Sequence, residues 1–357
     1  MTNAVALAQG ASNNVTFRNR IINGAMVIDQ RNAGASVTPT NQQYTLDRWY
    51  TGVGQTSKLT IQQNAGSVTP PAGFTNYLGI TSSSAYSVTS TDFFYVQQSV
   101  EGFNIADLGW GTANAQTVTL SFWVRSSLTG TFSGTLRNYS GNRTYPFTYT
   151  ISSANTWEQK SVTIAGDTSG TWYTNNNGGV DVGFSVGAGS SRSGTAGAWA
   201  GAAYYAATGA TSVVGTSGAT FYITGVQLEA GSTASPFEYR QYGTELALCQ
   251  RYFLMWANGS GNVGLGGYYN STYVTTSIAF PVTMRSGPTL TQTTGTNYYG
   301  IYSNNTLDYF DSFSSGIQQA TVNCAGVDCS TNVSGTSGSI GRIVSNAGSY
   351  IGFSAEL

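Results

Sequence analysis

From Thr117 to Arg125 the chain alternates strictly, with Val118, Leu120, Phe122 and Val124 on one side and Thr117, Thr119, Ser121, Trp123 and Arg125 on the other. Successive side chains of a strand point to opposite faces, so this period of two specifies a strand with one buried face. The same pattern recurs in Phe94 and Val96 leading to Val100, in Val162/Ile164, in Val180/Val182/Phe184/Val186, and in Phe221/Ile223 followed by Val226/Leu228. The last two pairs are out of phase. A one-residue slip would send Val226 and Leu228 to the wrong face, which predicts a β-bulge at Thr224 and Gly225.

Between these strands lie turn-rich segments such as 166–170, 175–179 and 187–197, without helical periodicity. Glycine occurs 45 times, and it enters positive φ at little cost, as short strands joined by tight turns require. From about residue 20 to 240 the pattern is all-β, and its strand spacing suits a two-sheet sandwich better than a closed barrel. No fixed-period repeat argues for a β-helix or propeller.

Residues 243–253 differ, with good helix formers, apolar side chains at helical spacing and Thr244 as an N-cap. We therefore expect a helical linker over 241–253 between a domain at 21–240 and a smaller β-domain at 254–357. The alternating runs Ser277 to Met284 and Ile351 to Leu357 belong to the second. The opening stretch 1–20 is small, polar and weakly patterned before Phe17. It lacks the basic start and long apolar core of a signal peptide, so synthesis in the cytoplasm without export is expected.

Charged residues make up 8% of the sequence and the net charge is −1, which leaves too little positive charge for binding nucleic acid through its phosphates. No apolar run approaches the 18 or so residues of a membrane-spanning helix, so membrane insertion is not expected. Three cysteines, Cys249, Cys324 and Cys329, do not make a disulfide framework. Cys324 and Cys329 flank Ala325–Asp328, a spacing that leaves two readings open: a bridge across a hairpin, or two free thiols.

The sequence contains no histidine, which removes Ser-His-Asp and Cys-His catalysis. A paired-carboxylate glycosidase is the remaining enzyme class, with Asp167, Asp181 and Glu158 as its loop acids, and solvated acids are the simpler reading. We expect no catalytic residues. Tyrosine and tryptophan rings stack on the C–H faces of sugars, so adjacent aromatics in Gly/Ser/Asn surroundings are the candidate glycan contacts. They are Trp199 with Tyr204 and Tyr205, Trp172 with Tyr173, Tyr268 with Tyr269, and Tyr298 and Tyr299 with Tyr302. The alternative is that the outward ring covers a sheet face or packs on another subunit. Trp123 is expected beneath a loop or against another chain; Trp49 and Trp157 are expected in the core.

Several segments together resemble bacteriophage tail-fibre and virion adhesion proteins. They are Arg18-Asn19-Arg20-Ile21-Ile22-Asn23-Gly24-Ala25-Met26 with Asp29-Gln30-Arg31; Tyr44-Thr45-Leu46-Asp47-Arg48-Trp49; residues 117–131; and Phe221 to Gly231. The junction Tyr239 to Tyr252, the motif Phe280-Pro281-Val282-Thr283-Met284-Arg285 and the ending Phe353 to Leu357 extend it over nearly the whole chain. The first domain is also similar to jelly-roll carbohydrate-binding modules. This resemblance implies a homotrimeric, non-enzymatic tail-fibre or receptor-binding subunit on the virion surface. It would be held to tail or capsid proteins through 1–20 and would bind a bacterial surface glycan or protein. A capsid decoration (head-fibre) protein and a polysaccharide depolymerase are the rival readings. In such modules the closing strand often carries an acid for a structural calcium. Thr224 stands there in this chain, and a hydroxyl is a far weaker ligand for a hard cation.

Overall fold

The computed structural model describes residues 17–357, so most of the expected attachment segment lies outside the described residues. The chain divides into two compact units, the second starting at Gly243.

Unit 1 is a jelly-roll β-sandwich of two antiparallel sheets. The front sheet runs β1 (Gln43–Leu46), β2 (Trp49–Val53), β5 (Phe93–Glu101), β10 (Gly178–Ala188), β7 (Gly130–Asn138) and β8 (Thr144–Ile151). The back sheet runs β3 (Leu59–Gln63), β4 (Leu78–Ser82), β13 (Thr220–Ala230), β6 (Val118–Ser126) and β9 (Glu158–Ile164). A two-residue parallel ladder, β11 (Ser193–Gly194) with β12 (Ala206–Ala207), lies outside them. The alternating residues meet between the sheets. Phe184 packs edge-on against Phe122 and Phe147 and lies 6.5 Å from Trp49.

The bulge in β13 falls where the phase change requires it. Pairing with β6 slips between Thr224 and Gln227, Gly225 has φ +61°, and Phe221, Ile223, Val226 and Leu228 are all fully buried. Residues 19–24 are laid against this irregular strand. Asn19 Nδ2 donates to the Val226 carbonyl at 3.0 Å, the Val226 N–H to Gly24 O at 2.9 Å, and the Leu228 N–H to Asn19 Oδ1 at 3.1 Å. The bulge frees backbone groups that the neighbouring strand cannot reach, and the N-terminal segment satisfies them. Trp49 Nε1 and the Asn23 side chain then tie this segment to the β1–β2 turn, where Asp47 and Arg48 are buried.

Unit 2 opens with α1 (Tyr242–Gln250). Thr244 lies inside the helix, not at its N-cap, and the buried stripe is Glu245 and Cys249, one turn apart. Its strands form a small sheet, β14 (Phe253–Asn258), β23 (Tyr350–Ser354) and β17 (Thr289–Gln292). The larger, seven-stranded sheet has the order β19 (Thr306–Phe310), β18 (Tyr299–Ser303), β22 (Ile340–Ser345), β15 (Gly261–Asn270), β16 (Tyr273–Ala279), β21 (Cys324–Cys329) and β20 (Gly316–Ala320). Leu254, Val274, Tyr299, Ile301, Phe310, Ile343 and Phe353 belong to the core of this unit. The alternation from Ser277 to Met284 does not continue as strand past Ala279, because Pro281 has no N–H to give a ladder.

Cys324 and Cys329 occupy the two ends of one strand, β21, instead of facing each other across a hairpin. At ~3.3 Å per residue an extended strand holds them about 16 Å apart, far beyond the reach of a bridge. Both are free thiols. The thermal midpoint of the purified protein is therefore expected to be the same with and without a thiol reductant; a drop of several degrees on reduction would contradict this register.

Candidate functional site

The outer face of the seven-stranded sheet carries the most open aromatic arrangement among the expected glycan contacts. It is built at the β15–β16 hairpin. Successive residues of a strand face opposite sides, so the two consecutive tyrosines of β15 part, and the register shifts between Tyr268 and Asn270 where the strand enters its turn. Tyr268 stands opposite Val274 and points into the core, its hydroxyl donating to Asp308 Oδ2 at 2.7 Å. Tyr269 is left 76% exposed. Across the turn Tyr273 meets its ring edge-on, with centroids 6.1 Å apart.

Tyr273 in turn donates its hydroxyl to Asp328 Oδ2 at 2.8 Å. The carboxylate beside it pushes the Tyr273 pKa up, so the phenol keeps its proton throughout the physiological range. Asp328 is only 6% exposed, and its other oxygen, Oδ1, is buried with no hydrogen-bond partner. Buried carboxylate oxygens are normally satisfied, so this one is an acceptor in need of a donor. Tyr269, Asn270, Tyr273, Thr275, Gln318 and Asp328 together line a groove of about 400 Å³. It offers a ring face, hydroxyls and amides, and one carboxylate as its single charge. That combination suits a ligand with C–H faces and hydroxyl donors.

The remaining expected contacts are placed differently. Tyr299 is fully buried, stacked near Phe310 and Phe313, and its hydroxyl donates to backbone carbonyls at Thr293 and Tyr350. Tyr268 and Tyr299 are therefore core residues with no free ring face, because both fall on the inward phase of their strands. Tyr298 is half-buried against the same core. Tyr302 is 41% exposed on the outer face, with the Arg342 guanidinium 5.7 Å from its ring.

In unit 1, Tyr205 lies flat on Tyr95, 4.7 Å and 5° from it, with Arg137 4.7 Å from its ring. Its stacking is already spent within the chain. Tyr204 packs over Gly194, where a Cβ would come within 2.3 Å of its ring. Trp199 stands edge-on to Trp110 and Trp172, and its Nε1 donates to Ala165 O at 2.8 Å. Trp49 fills the core, but Trp157 does not: it packs on the outside of the back sheet against Tyr77. Trp123 lies half-buried beside Gly225, which the Phe74 ring also approaches.

The three acids weighed for catalysis are each tied to a cation. Asp167 takes a two-pronged contact from Arg143, at 2.6 and 2.7 Å. Asp181 holds Arg137 at 2.9 Å and Ser99 Oγ at 2.5 Å. Glu158 holds Lys160 at 2.6 Å; burial works against its charge, yet the ammonium and two backbone N–H groups keep its pKa below the usual value. A general acid in a glycosidase needs the opposite shift. Thr224, at the place of the calcium acid, donates its hydroxyl to Asn76 O at 2.7 Å.

Sequence reasoning singled out Tyr269 but missed Tyr273 and Asp328. The signal available was the spacing of Tyr269 and Tyr273 around Ser271-Thr272, which a tight hairpin turn brings together. Asp328 joins them only through the β16–β21 pairing, in which Thr275 faces Asp328.

No family model and no curated protein matches this sequence. Among solved structures, the chain is similar to the enzymatically active domain of tailspike protein 4 from bacteriophage CBA120, with 11% identity and a TM-score of 0.33 over 60% of this chain. The match spans 22% of that tailspike domain. A putative sugar-binding protein from Bacteroides thetaiotaomicron gives 13% identity and a TM-score of 0.33, over 60% of this chain and 100% of that one. The family 11 carbohydrate-binding module of Clostridium thermocellum, solved with a β-1,3-1,4-mixed-linked tetrasaccharide, gives 11% and 0.29, over 57% and 99%.

Proposed function

We propose that this chain is a non-enzymatic attachment subunit of a bacteriophage particle, of tail-fibre or receptor-binding type, which holds the virion to a bacterial surface by binding glycan in unit 2. The observation that carries the glycan reading is the groove at Tyr269, Tyr273 and Asp328: an exposed ring in a groove whose other walls are hydroxyls, amides and one carboxylate. A sugar offers a C–H face to the ring and hydroxyls to those polar groups. The virion setting rests on the motifs of residues 18–31, 44–49 and 221–231. Sugar contacts of this size are individually weak, which is the physical reason to expect a homotrimer in which several grooves engage together. Ion-pairing of Asp167, Asp181 and Glu158 supports a binder over a depolymerase.

Tyr269→Ala is expected to weaken glycan binding by about tenfold per groove, since a well-placed aromatic contact contributes up to roughly 1.4 kcal/mol. The check is competition: purified protein should block phage adsorption to host cells, and the variant should block it far less. Equal competition by the two would remove the groove from the proposal, and release of reducing sugar from the host polysaccharide would indicate a depolymerase.

A further inference from the structure

The tyrosine groove is one end of a longer surface. Cross-strand pairing places Ile340, Gly267, Thr275 and Asp328 in a single row over β22, β15, β16 and β21. The buried neighbours Ile343, Val274 and Val327 fix the opposite phase as inward, so this row faces outward. The next outward row is Leu307, Tyr302, Arg342 and Leu265. Three strand spacings of ~4.8 Å separate Asp328 from the strand of Arg342, about 14 Å. Gly267 gives the middle of the row no side chain, so its floor there is backbone.

At the far end is a second basin of about 410 Å³, lined by Gly261, Asn262, Arg342, Val344 and Ser345. Arg342 is exposed, stands over the Tyr302 ring and forms no salt bridge among the described residues. Between the two basins Leu265 and Ile340, diagonal neighbours on β15 and β22, are 75% and 76% exposed and form a short apolar strip. The two ends differ in charge: a carboxylate lines the tyrosine groove and a guanidinium lines the other basin.

We propose that the ligand of this face is an extended acidic glycan, crossing the strands with an uncharged, hydroxyl-rich residue in the Tyr269–Asp328 groove and a carboxylate or phosphate substituent on Arg342. This rests on the glycan reading above and adds to it the length and charge of the ligand. An anionic sugar in the tyrosine groove would meet Asp328, so the charge pattern also sets the direction of the chain. The fork of a guanidinium matches a carboxylate or phosphate in geometry as well as in sign.

The test uses the full chain on an array of defined bacterial oligosaccharides, each acidic glycan paired with its twin in which the carboxylate is reduced to an alcohol or the phosphate is removed. Wild type should prefer the acidic member by about tenfold, Arg342→Gln should bind both twins equally at the weaker level, and Tyr269→Ala should weaken both by about tenfold. Equal binding of the twins by wild type, or a preference that persists in Arg342→Gln, overturns the acidic assignment and leaves the glycan reading standing. Absence of any bound glycan overturns both. The variants Leu265→Asn and Ile340→Asn are followed by sedimentation as well. If they dissociate an oligomer while glycan binding is unchanged, the strip is an interface between copies of this chain and the extended site is wrong.

Discussion

Arg137→Ala is expected to lower the unfolding free energy of unit 1 by about 3–5 kcal/mol, read as a fall in the urea midpoint. Arg137 and Asp181 stand opposite each other on β7 and β10, on the outer face of the front sheet, and both are more than nine-tenths buried. Burial alone would depress the guanidinium; the Asp181 carboxylate reverses that and holds it firmly protonated. Removing Arg137 strands Asp181 with only Ser99 Oγ as partner, in a setting where Tyr95 and Tyr205 exclude water. The cost comes from the abandoned charge, not from the lost attraction, because burying the pair was itself expensive. The double replacement Arg137→Met with Asp181→Leu is accordingly expected to recover most of the loss. If the double variant is as unstable as the single one, the argument from desolvation fails.

Asn23→Ala is expected to cost a further large share of stability, about 3–5 kcal/mol, by a different route. Asn23 is fully buried with φ +56°, a left-handed conformation that asparagine tolerates better than alanine. Its amide donates to Ile28 O at 2.8 Å and to Asp47 O at 3.0 Å, and its oxygen accepts from the Ile28 N–H at 3.0 Å. Alanine leaves the two Ile28 groups and the Asp47 carbonyl without these partners in the interior, each a penalty of about 1–3 kcal/mol before relaxation. The glycan binding proposed for unit 2 is the control: a fold effect confined to unit 1 leaves it unchanged at temperatures below the transition. A denaturation midpoint within error of wild type would mean that water replaces the asparagine.

The surroundings of Asn23 also explain why the motifs that suggest an adhesion protein read as they do. Asn19, Asn23, Gly24, Asp47, Arg48 and Trp49 serve the structure: they pin the N-terminal segment to a bulged strand and to the first turn. At Gly24 a Cβ would lie 2.2 Å from the Val226 carbonyl oxygen, so no other residue fits that close approach. Such motifs identify a way of closing the sandwich and carry no information about a ligand.

The sequence by itself determined the strands, because burial on one face writes a period of two into the chain, and even the bulge at Thr224 and Gly225 followed from a change of phase. It also determined the residue types available at the surface: no histidine, few charges, many tyrosines. It could not separate Tyr269 from Tyr268, nor Trp157 from Trp49, since adjacent or similar aromatics carry the same composition whichever way they point. The phase of β15 against its partner strands made that choice: Tyr268 stands opposite buried Val274, and Tyr269 shares the outward phase of Leu265. Only the tertiary structure brought Asp328 to Tyr273, across 55 residues of chain, and set Cys324 and Cys329 on one strand instead of two. Local alternation is decided by the solvent on either side of a strand, whereas neighbours across a sheet are decided by the order in which strands pair, and that order is a property of the whole fold.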